Sequence, residues 1–103
     1  MQIGIDIGAT KIEYVLMEEK GNEITREREK SPDNYNDTID SIANIVNQLE
    51  KKYNNKFDVG ICHPGFISNE TGLLKNATNS PWLNDQLFQK DISIKLNRNV
   101  FCE

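Results

Sequence analysis

The opening eleven residues, MQIGIDIGATK, constrain the fold more than any other part of the chain. An apolar run, Ile3–Ile7, contains a single acid, Asp6, and breaks at Gly8 before a second alternating run begins at Lys11. A carboxylate is costly in the core of a sheet, so we expect Asp6 near the open end of a strand, where it meets water or a cation. Gly8 permits a turn that brings amide N–H groups close to an anion. The pattern predicts a β-hairpin whose turn suits a metal-bound phosphate.

The two best-known phosphate loops are absent from the chain. Gly-x-x-x-x-Gly-Lys-Ser/Thr does not occur, and no Gly-x-Gly-x-x-Gly follows a strand and opens a helix. Thr10 adds a hydroxyl and Lys11 a positive charge to the turn. Because the turn leads into another alternating segment, the candidate loop joins two antiparallel strands. An ordinary hairpin with a glycine turn stays open as the simpler alternative.

Hydrophobic periodicity gives the order of the elements. Strands are predicted over 2–7, 11–18, 23–30, 57–62 and 99–102, with a short strand at 72–76 and a loop at 77–84. Helices are predicted over 34–53 and 85–97, the first from an apolar stripe at Ile39, Ile42, Ala43, Val46, Leu49 and Tyr53. Three strands followed by alternating helix and strand predict an α/β fold, with a mixed β-sheet in β-β-β-α-β-α-β order and flanking helices.

Length and composition limit the classes of protein. The 103 residues are enough for one domain, and the formal charge is −4 with no basic stripe, which argues against a nucleic-acid partner. No run approaches the ~20 apolar residues of a membrane span, and no signal peptide precedes the first strand. Cys62 and Cys102 are far apart, so we interpret them as reduced thiols of a cytoplasmic protein without a metal or disulfide role.

The segment Ile5-Asp6-Ile7-Gly8-Ala9-Thr10-Lys11 resembles the first phosphate motif of the ROK sugar kinases, within the actin/hexokinase/Hsp70-like ATPase superfamily. That family usually reads Asp-x-Gly-Gly-Thr-Lys, so Ala9 departs from it. Since Ala disfavours positive φ, we expect only Gly8 to need an unusual backbone conformation. The resemblance implies a ribonuclease-H-like (actin-like ATPase) half-domain that uses ATP and Mg²⁺, with Asp6 in the Mg²⁺ shell. The implied cofactor-binding residues are Gly4, Ile5, Asp6, Ile7, Gly8, Ala9, Thr10 and Lys11.

A second segment, Gly60-Ile61-Cys62-His63-Pro64-Gly65, follows a predicted strand, where open α/β sheets bind ligands. It resembles the ROK pattern Gly-x-Gly-x-Pro-Gly, with Cys62 in place of the second glycine. The later pattern Lys-Asn-Ala…Trp-Leu-Asn, from Lys75 to Asn84, looks most like the fructokinase/mannokinase branch. Neutral amides and hydroxyls suit sugar hydroxyls. The implied substrate contacts are Pro64, Gly65, Asn76, Thr78 and Asn79. A plain Pro-Gly turn and an ordinary polar loop stay open as alternatives.

Two single residues have plainer interpretations. Trp82, the only tryptophan, is expected to pack beneath the second helix rather than stack on a sugar. His63, the only histidine, has no partner His or Cys pair, so a metal role is not expected.

The resemblance implies that residues 1–103 are the amino-terminal lobe of an ATP-dependent hexose kinase and cover only that part of the family's length. In ROK kinases the Asp base follows the strand corresponding to Asn99–Glu103, so no catalytic residue is expected within this chain, and we expect the lone lobe to be inactive. The zinc site of many members belongs to the other lobe. The implied substrate is fructose or mannose, ahead of glucose or N-acetylglucosamine, and the full-length protein is implied to be a homodimer.

Two alternatives belong to other classes. A sugar-responsive transcriptional regulator of the ROK type carries an amino-terminal helix-turn-helix, whereas this chain begins at its first strand. A non-catalytic sugar- or nucleotide-binding module is the other alternative.

Overall fold

The computed structural model describes all 103 residues, Met1–Glu103. The strands are β1 (Gln2–Ile7), β2 (Lys11–Met17), β3 (Glu23–Lys30), β4 (Asp58–Cys62), β5 (Phe66–Ile67), β6 (Leu74–Lys75) and β7 (Phe101–Cys102). The helices are α1 (Tyr35–Tyr53) and α2 (Phe88–Leu96), and a 3₁₀ turn spans Pro81–Leu83. No helix is both long enough and apolar enough to span a membrane.

The main sheet contains five strands in the order β3-β2-β1-β4-β7, and β5 and β6 form a separate antiparallel pair. The first three strands form an antiparallel meander, whereas β1, β4 and β7 run parallel. This arrangement confirms the predicted α/β fold with a mixed sheet. One edge of the sheet is β3, whose residues are almost all exposed and largely charged; the other edge is the two-residue β7.

The core lies on one face of the sheet because β1 alternates strictly. Ile3, Ile5 and Ile7 are buried in one apolar cluster with residues of both helices, including Ile42 and Ile92. The alternate residues of β1, Gln2, Gly4 and Asp6, face the other side, where Asp6 is exposed. The apolar stripe predicted for α1 is confirmed, and α1 also buries Thr38 and Ile45, which the stripe did not include.

Asparagine residues fix both ends of α1. The Asn34 side chain accepts a hydrogen bond from the Asp37 amide at 2.9 Å, which satisfies one of the free N–H groups of the first turn. The helix ends at Asn54, whose φ of 51° is left-handed, a common way to close a helix. These caps explain why the predicted range of 34–53 agrees with the structure to within one residue.

The second half of the chain differs from the sequence prediction. The helix predicted from residue 85 begins at Phe88, because Asp85 has a φ of 63° and its amide donates to the Leu74 carbonyl at 2.8 Å. The strand predicted over 72–76 shrinks to Leu74–Lys75 and pairs with Phe66–Ile67, a strand the sequence did not predict. The predicted loop 77–84 contains the 3₁₀ turn, and the strand predicted over 99–102 is reduced to β7.

Candidate functional site

The two loops singled out in the sequence leave the same edge of the sheet. β1 and β4 are parallel, and their register places Asp6 beside Cys62. The β1–β2 turn and the His63–Gly65 turn follow directly. Ligands of α/β sheets bind outside the carboxyl ends of parallel strands, so this edge is the candidate site.

The β1–β2 turn is a tight hairpin in which the Gly8 amide donates to the Lys11 carbonyl at 2.9 Å. The amides of Ala9 and Thr10, at its tip, donate to no group of the chain. Neither Gly8 nor Ala9 has a positive φ, so the expectation that Gly8 adopts an unusual conformation is wrong. Glycine fits there for another reason, because a Cβ on Gly8 would lie in tight contact, at 3.0 Å, with the Lys11 carbonyl oxygen.

Asp6 is the one acid of β1, and its carboxylate is exposed with no hydrogen bond or ion pair. Its antiparallel neighbour Glu13 is occupied by an ion pair with Arg26. No group of three or more His, Cys, Asp or Glu side chains suited to a metal ion occurs in the chain. A free carboxylate still fits Mg²⁺, which is commonly held by one or two carboxylates, water and substrate phosphates.

Ser31 supports the turn from outside and was not predicted. It is the first residue after β3; its amide donates to the Thr10 carbonyl at 2.8 Å, and its hydroxyl donates to the Gly8 carbonyl at 2.7 Å. The only signal in the sequence is the Ser-Pro pair that ends the third strand.

The structure brings two of the implied sugar-contacting segments into direct contact. Gly65 has a φ of 72°, and a Cβ built there would lie 2.0 Å from the Lys75 carbonyl oxygen and 3.0 Å from the Ala77 amide nitrogen. Asn76, between those two residues, also adopts a left-handed φ of 62°. The Pro64–Gly65 turn therefore packs backbone to backbone against the start of the Asn-rich loop, residues 76–84.

The start of this loop is held by the side chain of its last residue, Asn84. Ala77 is fully buried; its amide donates to Asn84 Oδ1 at 2.9 Å, and its carbonyl accepts from Asn84 Nδ2 at 3.4 Å. The implied sugar contacts on either side, Asn76, Thr78 and Asn79, are exposed, and their side chains make no hydrogen bond within the chain. Their polar groups are therefore free to meet a ligand, while the backbone between them is fixed.

Two aromatic side chains anchor this region. His63 is 7% exposed; its ring meets Phe88 edge-on at 5.8 Å, and Nδ1 donates to the Pro64 carbonyl at 2.9 Å. Trp82 is half-buried and packs against the apolar core, in line with the expected packing role.

A cavity of about 1610 Å³ lies on the face of the sheet that carries Gly4 and Asp6. It takes in Gly4, Ile5 and Asp6, whereas residues 7–11 and all five implied sugar contacts lie outside it. This cavity therefore takes in only part of the candidate site.

Comparison with known proteins defines the class. The sequence matches the ROK family model over residues 2–103, and the chain therefore belongs to the ROK family. A curated relative, the N-acetyl-D-glucosamine kinase of Mannheimia succiniciproducens, is 36% identical over 104 residues, which cover 100% of this chain and 34% of the relative. The chain thus spans about a third of the length of the relatives it matches.

Solved structures share the fold. The ROK hexokinase of Thermus thermophilus superposes with a TM-score of 0.82 at 19% identity, covering 99% of this chain and 34% of that one. A ROK family glucokinase of Streptomyces griseus, in complex with glucose and AMPPNP, gives the same TM-score at 21% identity, covering 99% of this chain and 32% of that one. The ROK kinase fold predicted from the motifs is confirmed. The fructokinase/mannokinase branch gains no support, because the curated relative is an N-acetylglucosamine kinase.

Proposed function

We propose that this chain is the amino-terminal lobe, residues 1–103, of an ATP-dependent hexose kinase, and that it supplies the phosphate turn and the sugar-contacting loops. One observation carries the proposal: two unpaired amides, of Ala9 and Thr10, lie on a tight turn directly after the strand that presents the unpaired Asp6 carboxylate. Amides and a carboxylate are complementary to an oxyanion and to its cation, respectively. The relatives' kinase names support the same class.

Each residue of the turn has a distinct task in this scheme. Bound Mg·ATP supplies the phosphoryl group that is transferred. The Ala9 and Thr10 amides and the Thr10 hydroxyl donate to phosphate oxygens, Asp6 binds the water shell of the cation, and the exposed Lys11 adds positive charge nearby. No side chain of this lobe is assigned as the base that accepts the proton of the sugar hydroxyl, which we assign to the remaining part of the polypeptide.

The sugar would lie along the Pro64–Gly65 turn and the loop that carries Asn76, Thr78 and Asn79. Their neutral donors and acceptors match hydroxyls, which both donate and accept. N-acetylglucosamine becomes the first sugar to test, because the curated relative is named for it. Fructose and mannose, favoured by the motif from Lys75 to Asn84, and glucose follow.

The test is phosphorylation by the whole polypeptide that the gene encodes. ADP formation is measured with Mg·ATP and each of the four sugars, for the wild type, Asp6→Asn and the control Glu19→Gln, which neutralises an exposed acid outside the site. We expect turnover with at least one sugar, a loss of about 100-fold in kcat/KM for Asp6→Asn, and no change for the control. Sugar binding without turnover would indicate a regulator or a binding module, and an unaffected Asp6→Asn would remove the proposed cation site.

The isolated chain of 103 residues is a second, independent arm. Phosphoryl transfer depends on positioning and electrostatic stabilisation from both sides of the nucleotide, so we expect no sugar phosphorylation from this lobe alone. Sustained turnover by the purified 103-residue chain would contradict the assignment of the base to the rest of the protein.

A further inference from the structure

We propose that Ser31 is the positioning residue of the candidate phosphate turn, which it holds in the conformation that presents the Ala9 and Thr10 amides to a nucleotide phosphate. The proposal rests on the proposed function for its ligand and on the hydrogen bonds of Ser31 for its geometry. Nothing in the phosphate motif itself points to this residue, which lies 23 positions after Gly8.

Ser31 binds the turn at two points. Its hydroxyl donates to the Gly8 carbonyl at 2.7 Å, and its amide donates to the Thr10 carbonyl at 2.8 Å. One residue therefore binds the turn on both sides of Ala9. Ser31 is only 9% exposed, which shields both bonds from competing water. The β2–β3 register, with Lys11 opposite Lys30, brings Ser31 level with Thr10.

The two bonds determine which polar groups of the turn remain available. The Gly8 and Thr10 carbonyl oxygens are directed at Ser31, so the negative ends of these peptide dipoles are engaged away from an incoming anion. The amides of Ala9 and Thr10 have no partner in the chain and are left to donate. A turn of successive free amides is an anion-binding arrangement, and its affinity depends on the amides being held in place before the ligand arrives.

Pro32 prevents the strand pairing from continuing past Ser31. It follows Ser31 directly and lacks an amide hydrogen, so β3 cannot continue its ladder beyond Ser31. The structure accordingly ends β3 at Lys30. The last backbone hydrogen bond of this strand pair is therefore the one from the Ser31 amide to Thr10 in the turn.

The experiment separates positioning from folding with three variants. Ser31→Ala removes the hydroxyl and keeps the amide, Ser31→Thr keeps both donors, and Ser41→Ala is the control, since Ser41 lies on α1 and its side chain makes no hydrogen bond. In the 103-residue chain, ¹H–¹⁵N heteronuclear NOEs are measured for the Ala9 and Thr10 amides. We expect both NOEs to fall in Ser31→Ala alone, with values in α1 unchanged and with recovery in Ser31→Thr.

In the whole polypeptide, the same variants are compared by kinetics. Loss of one net hydrogen bond predicts a rise of about 3- to 10-fold in KM for Mg·ATP in Ser31→Ala, with KM for the sugar unchanged and recovery in Ser31→Thr. Equal rises in both KM values would show a purely structural role and overturn the proposal.

The two proposals fail separately. Unchanged NOEs in Ser31→Ala refute the positioning role whatever the enzyme does. A wild type that phosphorylates no sugar refutes the proposed function, while the NOE comparison still decides the role of Ser31. If Ser31→Ala does not fold, Ser31→Cys, which keeps the volume but is a weaker donor, replaces it in both arms.

Discussion

The Arg98 guanidinium and the Glu50 carboxylate meet edge to edge, with Nη1–Oε2 at 2.6 Å and Nη2–Oε1 at 3.0 Å. Both side chains are largely buried, at 19% and 12% exposure, and Arg98 also donates to the Phe57 carbonyl at 2.9 Å. A paired-donor geometry of this kind is the strong form of an ion pair. It fastens the end of α1 to the segment that enters β4 and to the connection between α2 and β7.

Replacing Arg98 tests how much this ion pair stabilises the lobe. We expect Arg98→Ala to lower the free energy of unfolding by about 2–4 kcal/mol, since Glu50 is left partly buried without its partner. Lys95→Ala is the matched control: its ion pair with Asp40, at 3.3 Å, is exposed and should contribute less than about 1 kcal/mol. Urea unfolding followed by circular dichroism gives both values, and equal losses in the two variants would contradict the prediction.

The same pair predicts a dependence of stability on pH. The hydrogen bond from Arg98 lowers the pKa of Glu50 below its ordinary value, and the backbone amide of Phe57 adds to the effect. Because the pKa is lower in the folded state, the contribution is present above the unfolded value of about 4.3 and is lost as pH falls below it. Glu50→Gln should therefore have a lower free energy of unfolding than the wild type at pH 7. Between pH 5 and 3 its free energy of unfolding should fall less steeply than that of the wild type. Parallel pH profiles for wild type and variant would refute the assignment.

The two cysteines should differ in reactivity. Burial raises the pKa of Cys102 to about 11, so at pH 8 only about one thiol in a thousand is the reactive thiolate. Cys62 is exposed beside Asp6. We expect iodoacetamide to label Cys62 first, as read by mass spectrometry of tryptic peptides, and Cys62→Ser to become resistant in the folded state. Initial labelling at Cys102 would show that the end of β7 opens readily.

Gly65 and Gly21 form a matched pair for testing backbone contact. Both have positive φ, of 72° and 86°, but a Cβ at Gly21 meets nothing within 4 Å, whereas at Gly65 it overlaps the Lys75 carbonyl. Gly21→Ala should lower the free energy of unfolding by about 1–2 kcal/mol through backbone strain alone. Gly65→Ala should cost clearly more or prevent folding, since neither backbone segment can yield. Equal midpoints in urea would show that the Pro64–Gly65 turn does not pack on the loop.

Asn84 provides a direct test of the Asn-rich loop. We expect Asn84→Ala to cost about 1–3 kcal/mol, since it leaves the buried Ala77 amide without an acceptor. Amide hydrogen exchange at Ala77 should accelerate, while exchange in α1 should not. Asn44→Ala, on the exposed side of α1, is the control and should change neither quantity. Unchanged exchange at Ala77 would mean that the loop does not depend on Asn84.

Local signals were enough to predict the first half of the fold. The alternation in β1 and β2 and the capped stripe of α1 involve neighbours along the chain, and each agrees with the structure. The start of α2 was wrong because a tertiary hydrogen bond, from the Asp85 amide to Leu74, determines it. The two-residue β5 is too short to show any periodicity.

In the candidate site, too, the local features were predicted and the contacts between distant segments were not. The exposed position of Asp6 was predicted because burying a carboxylate in an apolar core costs free energy wherever it occurs in the chain. Ser31 and Asn84 were missed because their hydrogen bonds join residues 23 and 7 positions apart and depend on how distant segments meet. The preference for Gly8 was assigned to φ, whereas the structure shows a tight approach of the Lys11 carbonyl across the turn instead.

The charged border of the sheet also bears on how the molecule behaves in a crowded solution. Fibril growth starts where a long, flat, apolar strand offers unpaired backbone groups to a second chain. The border at β3 is lined with acids and bases, and Arg26 bridges Glu13 and Glu23 there. This border therefore offers no apolar template for strand-by-strand aggregation.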